Sequence, residues 1–125
     1  MQFSQDFAGD GYVITAYDAS SITVNGKRFT RSLIVSAGQI QENWPVSTIQ
    51  QLQAHHIESF IQHKPELIIL GTGSKQRFPA VELYAALSRQ NIGIEFMDSG
   101  AACRTYNILT GEGRNVVAGI IIDKN

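Results

Sequence analysis

The sequence predicts a three-layer α/β domain: a central mixed, mainly parallel sheet flanked by helices, with an N-terminal β-hairpin. Three observations carry that expectation. Asn25-Gly26 stands between two short β-prone runs, "SITV" and "KRFTR". "ELIIL" is a short, nearly all-apolar run, the composition of a parallel strand covered on both faces. From Ser47 onward helical and strand patterns alternate, which implies parallel strands joined by right-handed crossovers.

The elements follow in order. "YVITAYD" alternates, with Val13, Thr15 and Tyr17 on one face and Tyr12, Ile14 and Ala16 on the other. Asn-Gly supplies the two positive-φ residues of a type I′ turn, so "SITVNGKRFTR" is expected to be a hairpin. "SLIVSAG" follows as a strand entering the core. Ser47-Thr48-Ile49-Gln50 has a capping-box pattern, and Ile49, Leu52, Ile57, Phe60 and Ile61 form one apolar stripe. A helix is expected from there to about His63, because Pro65 disfavours helical geometry at Lys64. After the "ELIILG" strand, Pro79 suits a first helical position. Ala80, Leu83, Tyr84 and Leu87 would line the inner side of that second helix, with Asn91 or Gly93 ending it. "IGIEFMD" is the next strand. "SGAACRTYNILTGEG" is expected as a third helix, capped by Asp98 or Ser99 and ended by Gly111 and Gly113. "RNVVAGIIID" closes the chain as a strand.

Composition bounds the function. The chain has 125 residues, 43% of them apolar, and a formal net charge of -1. That length fits one domain able to bury a core without disulfides or a structural metal. The near-neutral charge provides no global field for nucleic acid. The single cysteine, Cys103, forms no intramolecular disulfide and suits a reducing compartment. No apolar run approaches the roughly 20 residues that span a bilayer, so no stable membrane insertion is expected. "MQFSQDFAGDGY" has neither a signal-peptide pattern nor the arginines of a transit peptide, so the expected location is the cytoplasm.

Ligands of open α/β sheets bind beyond the carboxyl ends of the strands. Two loops are expected there, Gly71–Phe78 and Asp98–Ala101. If their strands are neighbours, Thr72, Lys75, Arg77, Asp98 and Ser99 converge near the free amides that open the third helix. Such amides and the helix dipole favour an anion, with Gly73, Gly100 and Lys75 as its holders. Phosphate motifs fail, however. A dinucleotide fingerprint needs a third glycine where Gln76 stands, and Lys75 misses the P-loop spacing. Cys103 falls on the inward side of its helix with Ala102 and Tyr106, where a cysteine is commonly a small buried hydrophobe. His55, His56 and His63 share no i,i+3 or i,i+4 relation, so they form no helix-face metal pair. No metal, cofactor or catalytic set is expected. Arg104 projects outward, with Ile108 one turn later, and that pairing has the composition of an interaction patch.

The string "PELIILGTG…RFP…ELYAAL…IGIEFMDSGAACRTYNILTGEGRNVVAGIII" resembles a small-protein family. That family includes a mitochondrial respiratory complex I assembly factor (assembly factor 3), an adipogenesis-associated protein and many uncharacterised bacterial proteins. The most specific parts are Gly71-Thr72-Gly73, Phe78-Pro79 and Met97-Asp98 through Asn107. "VNGKRFTRSLIVS" and Trp44 resemble its weaker N-terminal half, and Ser99 stands where a threonine is frequent. The resemblance implies a three-layer α/β domain with a mixed sheet, no established enzyme activity and, for the mitochondrial members, help in assembling a membrane-bound redox complex. The absent transit-peptide pattern points to a bacterial-type member.

The expectation for function is therefore a non-enzymatic interaction or assembly factor. Its surface would be the Gly71–Phe78 loop and the third helix, with Arg77 and Arg104 as multi-donor contacts. The partner would be another protein or a second copy, not nucleic acid. The alternative is a small-anion or metabolite-binding protein, or a small enzyme, using the crevice at Gly71–Phe78 and Asp98–Ala101, with Ser99 or Cys103 nearest the chemistry.

Overall fold

A computed structural model describes residues 11–123. Most of the N-terminal stretch read for leader signals therefore lies outside the described residues. Eight strands form two sheets. β1 (Ile14–Asp18), β2 (Ser21–Val24) and β3 (Lys27–Phe29) make an antiparallel three-stranded sheet. β4 (Leu33–Ser36), β5 (Ile40–Gln41), β6 (Leu67–Gly71), β7 (Gly93–Met97) and β8 (Val116–Ile120) make the central sheet, in the order β5-β4-β8-β6-β7. The α-helices are α1 (Ala54–Ile61) and α2 (Ser99–Gly111).

The expected hairpin joins β2 and β3. Val24 pairs with Lys27, and the two turn residues, Asn25 and Gly26, take φ of 50° and 85°. Both values are positive, as a type I′ turn demands. The alternation foreseen for "YVITAYD" is broken by a register shift between Ile14 and Ala16. Ile14 alone of β1 is buried.

The central sheet is mixed. β6 pairs parallel with β7 and β8, while β4 pairs antiparallel with β8 and β5. Period-2 alternation then sorts its side chains into two cores. Leu33, Val35, Leu67, Ile69, Val116, Ala118 and Ile120 face α2 and the three-stranded sheet. Ile34, Ile68, Leu70, Phe96 and Val117 face Trp44, Ile57 and Phe60 on the opposite side. These are the three layers.

Two helical expectations are corrected. The helix beginning at Ser47 is not continuous. A 3₁₀ turn covers Ile49–Gln51, Leu52 and Gln53 are extended, and α1 starts at Ala54. The side chain of Gln51, not Gln50, accepts from the Ser47 amide at 2.7 Å. The break still lets Ile49, Leu52, Ile57 and Phe60 all be buried, so the apolar stripe is real although the single helix is not. His56 Nδ1 accepts from the Gln53 amide at 2.9 Å and holds the new helix start.

The second correction is the helix after Pro79. Residues Val81–Leu83 and Ala85–Gln90 form two 3₁₀ segments instead. Ala80 is exposed, and only Leu87 of the expected inner face is fully buried. The rings of Phe78 and Tyr84 both meet Phe96, at 5.8 and 4.9 Å between centroids. Tyr84, within the segment, packs on Phe96, and such tertiary packing overrides the segment's helical propensity. Asn91 ends the segment in the left-handed conformation, with φ of 58°.

The helix expected after Asp98 forms as α2. Asp98 is its N-cap and accepts from the Ala101 amide at 2.8 Å. Ala102, Cys103 and Tyr106 point inward and are buried.

Candidate functional site

β6 and β7 are adjacent and parallel, with Gly71 opposite Met97. Their following loops therefore meet. The Thr72 amide donates to Met97 O at 2.8 Å, and the Ser99 amide donates to Gly73 O at 2.8 Å. The Ser99 hydroxyl accepts from the Gly73 amide at 2.9 Å and donates to Ile121 O at 2.6 Å. One side chain thus ties the β6 loop, the start of α2 and the end of β8 together. Gly71 permits this close approach, since a Cβ there would stand 2.9 Å from Ser99 Oγ. Gly73 has φ of +104°, and a Cβ there would meet the Asp123 carboxylate at 2.1 Å.

Thr72 is buried and organises the loop from within. Its hydroxyl donates to Lys75 O at 2.6 Å and accepts from the Arg77 amide at 3.1 Å. Gln76 Nε2 donates to Phe96 O at 3.0 Å. The loop is pinned at its base, while the side chains of Lys75, Arg77 and Phe78 stay exposed.

The residues proposed from sequence divide between two places. Gly73, Asp98, Ser99, Gly100 and Cys103 line a hollow of about 270 Å³ under the three-stranded sheet. Tyr17, Asp18 and Asp123 complete its wall. Lys75 and Arg77 do not reach it; with Thr72 they line a separate depression beside Ile49 and Gln50. Ser74 and Asp123 border both.

The hollow's polar groups are already engaged. Gly73 N is bonded to Ser99, and Asp98 to Ala101. The Asp123 carboxylate accepts from the Ser74 amide at 3.0 Å. The Ser20 amide and the Ser21 hydroxyl hold the Asp18 carboxyl below its ordinary value. Cys103 is 1% exposed, and burial pushes its thiol up to about 12. A thiol in that state carries no appreciable thiolate at neutral pH. Arg104 lies at the rim, where its guanidinium donates to Tyr17 Oη and sits 5.8 Å from the ring centre. Ile108, one turn on, is 60% exposed.

Two further side chains of α2 hold β1. Asn107 accepts from the Ile14 amide at 2.9 Å and donates to Ile14 O at 2.6 Å, as a neighbouring strand would. The buried Tyr106 hydroxyl donates to Tyr12 O at 2.7 Å. Sequence reasoning marked the segment through Asn107 as specific but missed this clamp. It also missed Tyr17, Asp18 and Asp123, whose part in the hollow has no local signal. Among the described residues no group of three or more His, Cys, Asp or Glu could hold a metal ion. No helix among them is long and apolar enough to cross a membrane.

Known proteins share this sequence pattern and fold. The chain is 34% identical over 106 residues to a "13 kDa major membrane protein" of Francisella tularensis, covering 84% of this chain and 86% of that one. It is 29% identical over 111 residues to the rat "NADH dehydrogenase [ubiquinone] 1 alpha subcomplex assembly factor 3", covering 86% of this chain but 59% of that longer one. The crystal structure of a Bordetella parapertussis protein superposes with a TM-score of 0.84 at 34% identity, over 90% of this chain and 96% of that one. Residues 14–121 match a family model described as protein of unknown function (DUF498/DUF598), and the chain belongs to that family.

Proposed function

We propose that this chain is a non-enzymatic interaction factor that helps assemble a multi-subunit complex. The observation that carries the reading is the similarity to complex I assembly factor 3 across 86% of this chain. The geometry supports it. At the carboxyl edge of β6 and β7 the Ser99 hydroxyl is taken up by the Gly73 amide and Ile121 O. The exposed Arg77, Phe78 and Arg104 are of kinds enriched in interfaces, and Ile108 is an exposed apolar residue farther along α2.

The test is deletion of the gene in its host, followed by native gel analysis of the respiratory NADH dehydrogenase. Loss of the assembled complex, restored by the wild-type gene, is the expected result. A full complement of assembled enzyme without the protein overturns the reading.

A small-ligand role is the second reading, favoured by the 270 Å³ hollow. Its anion form needs the Gly73 and Gly100 amides together with Lys75, which lie apart here. A panel of small acids and phosphates tests it, because a bound anion raises the melting temperature by mass action.

A further inference from the structure

Two depressions adjoin beside the 3₁₀ turn Ile49–Gln51, where Ile49, Gln50 and Arg77 line both. At one end Leu52, Phe78, Pro79 and Leu83 supply an apolar wall beside the polar Gln50 and Gln76. The other end carries Lys75 next to Arg77. Phe78 is 68% exposed and its neighbour Val81 is 57% exposed, although both are large apolar side chains. Lys75 and Arg77 make no ion pair among the described residues, where the ion pairs are Lys27–Glu42 and Arg114–Glu66. The one carboxylate in the lining, Asp123, is bonded to the Ser74 amide.

The backbone and base of the walls are held before any partner arrives. The Arg77 amide is held by Thr72, Gln76 by Phe96 O, and the Phe78 ring stands edge-on to Phe96. A preformed groove loses little entropy on binding. Its order of groups is an apolar seat followed by two unpaired cations.

We propose that this groove binds an acidic segment of a partner protein, with an apolar side chain seated between Leu52 and Phe78 and a carboxylate meeting Arg77 and Lys75. The inference rests on the interaction reading above and supplies the chemistry of the partner. Charge complementarity selects the acidic segment, and Arg77 suits a carboxylate because its planar fork makes paired hydrogen bonds. A peptide fits better than a lipid surface, because the site is concave and Thr48 and Gln50 offer hydrogen bonds along its length.

The experiment places the photo-crosslinking residue p-benzoylphenylalanine at position 78 of the full chain in its own host. The expected product is a protein adduct whose crosslinked peptide contains both acidic and apolar residues. In the K75E/R77E background its yield falls about tenfold, because like charges then face each other. The neutral K75Q/R77Q variant falls less, and both variants keep the parental melting temperature. An adduct with lipid alone overturns the proposal in favour of a membrane surface. An adduct with a second copy, an adduct insensitive to charge reversal, or no adduct also overturns it. If the deletion strain lacks the assembled enzyme yet position 78 gives no such adduct, the groove assignment fails and the assembly reading survives. If the enzyme assembles normally without the protein, the assembly reading fails whatever position 78 contacts.

Discussion

The two faces of the central sheet are covered by opposite means. On one face, α2 adds several long-range hydrogen bonds to its apolar packing. Ser99 reaches the β6 loop and Ile121, Asn107 pairs with Ile14, and Tyr106 bonds to Tyr12 O. On the other face, α1 and the 3₁₀ segments are held mainly by apolar and aromatic packing, such as Trp44 on Phe60 and Tyr84 on Phe96. Directional bonds set the position of α2 to within a hydrogen-bond length. Apolar packing is non-directional, and it leaves the second face with short helical pieces and exposed apolar groups. The proposed partner groove lies on this second, less tightly bonded face.

The contrast is broken most strongly at Tyr106. Tyr106→Ala removes a fully buried ring and leaves Tyr12 O unpaired, with an expected loss of about 3–5 kcal/mol. Tyr84→Ala, on the other face and half-buried, should lose about 1 kcal/mol. Urea unfolding of both variants checks the pair, and equal losses would remove the distinction between the faces.

Asn107→Ala sharpens it further. Two bonds to β1 vanish together, for an expected loss of about 1–3 kcal/mol. The Ile14 amide should lose its protection from hydrogen exchange, whereas β6 amides keep theirs. Unchanged exchange at Ile14 would show that the three-stranded sheet does not depend on the Asn107 clamp.

A smaller effect is expected from pH, on the packed face alone. Burial, and then the neighbouring His55, hold His56 below its ordinary value of 6.5. The unfolded chain therefore binds the proton first, and stability is lost as pH falls below 6.5. Protonation also removes the acceptor that Nδ1 offers to the Gln53 amide. Thermal melts at stepped pH should show the decline, and His56→Gln, which keeps a side-chain acceptor, should flatten it. An identical decline in that variant would assign the pH dependence to another group.

The smallest effect is expected at Phe78. It is mostly exposed, so Phe78→Ser should change stability by no more than about 0.5 kcal/mol. A large loss would mean that its edge contact with Phe96 is structural, and the ring would then be unavailable to a partner.

Much of this fold was legible in local chemistry. Asn25-Gly26 announced its turn, Asp98 or Ser99 a helix start, and Asn91 or Gly93 the end of the second connection; Asp98 and Asn91 take those places. Cys103 and Tyr106 were placed inward by period alone. Each of these signals operates over a few residues, through φ preference, capping or helical spacing. The site was legible only in outline. That Gly71–Phe78 and Asp98–Ala101 meet follows from strand adjacency, but their internal arrangement does not.

By itself, then, the sequence determined every strand but β5, the hairpin, and α2 with its inward face. Only the tertiary structure decided that the first three strands form their own sheet, and that Ser99 ties the β6 loop to the end of β8. The same is true of the separation of Lys75 and Arg77 from Gly73 and Gly100, and of the 3₁₀ course of residues 81–90. The physical reason is distance along the chain. Ser99 meets Gly73 across 26 residues, and Asn107 meets Ile14 across 93. Propensity and periodicity carry no information over such spans. Which donor finds which acceptor is settled when the layers pack, and there a contact such as Tyr84 on Phe96 outweighs the local preference for an α-helix.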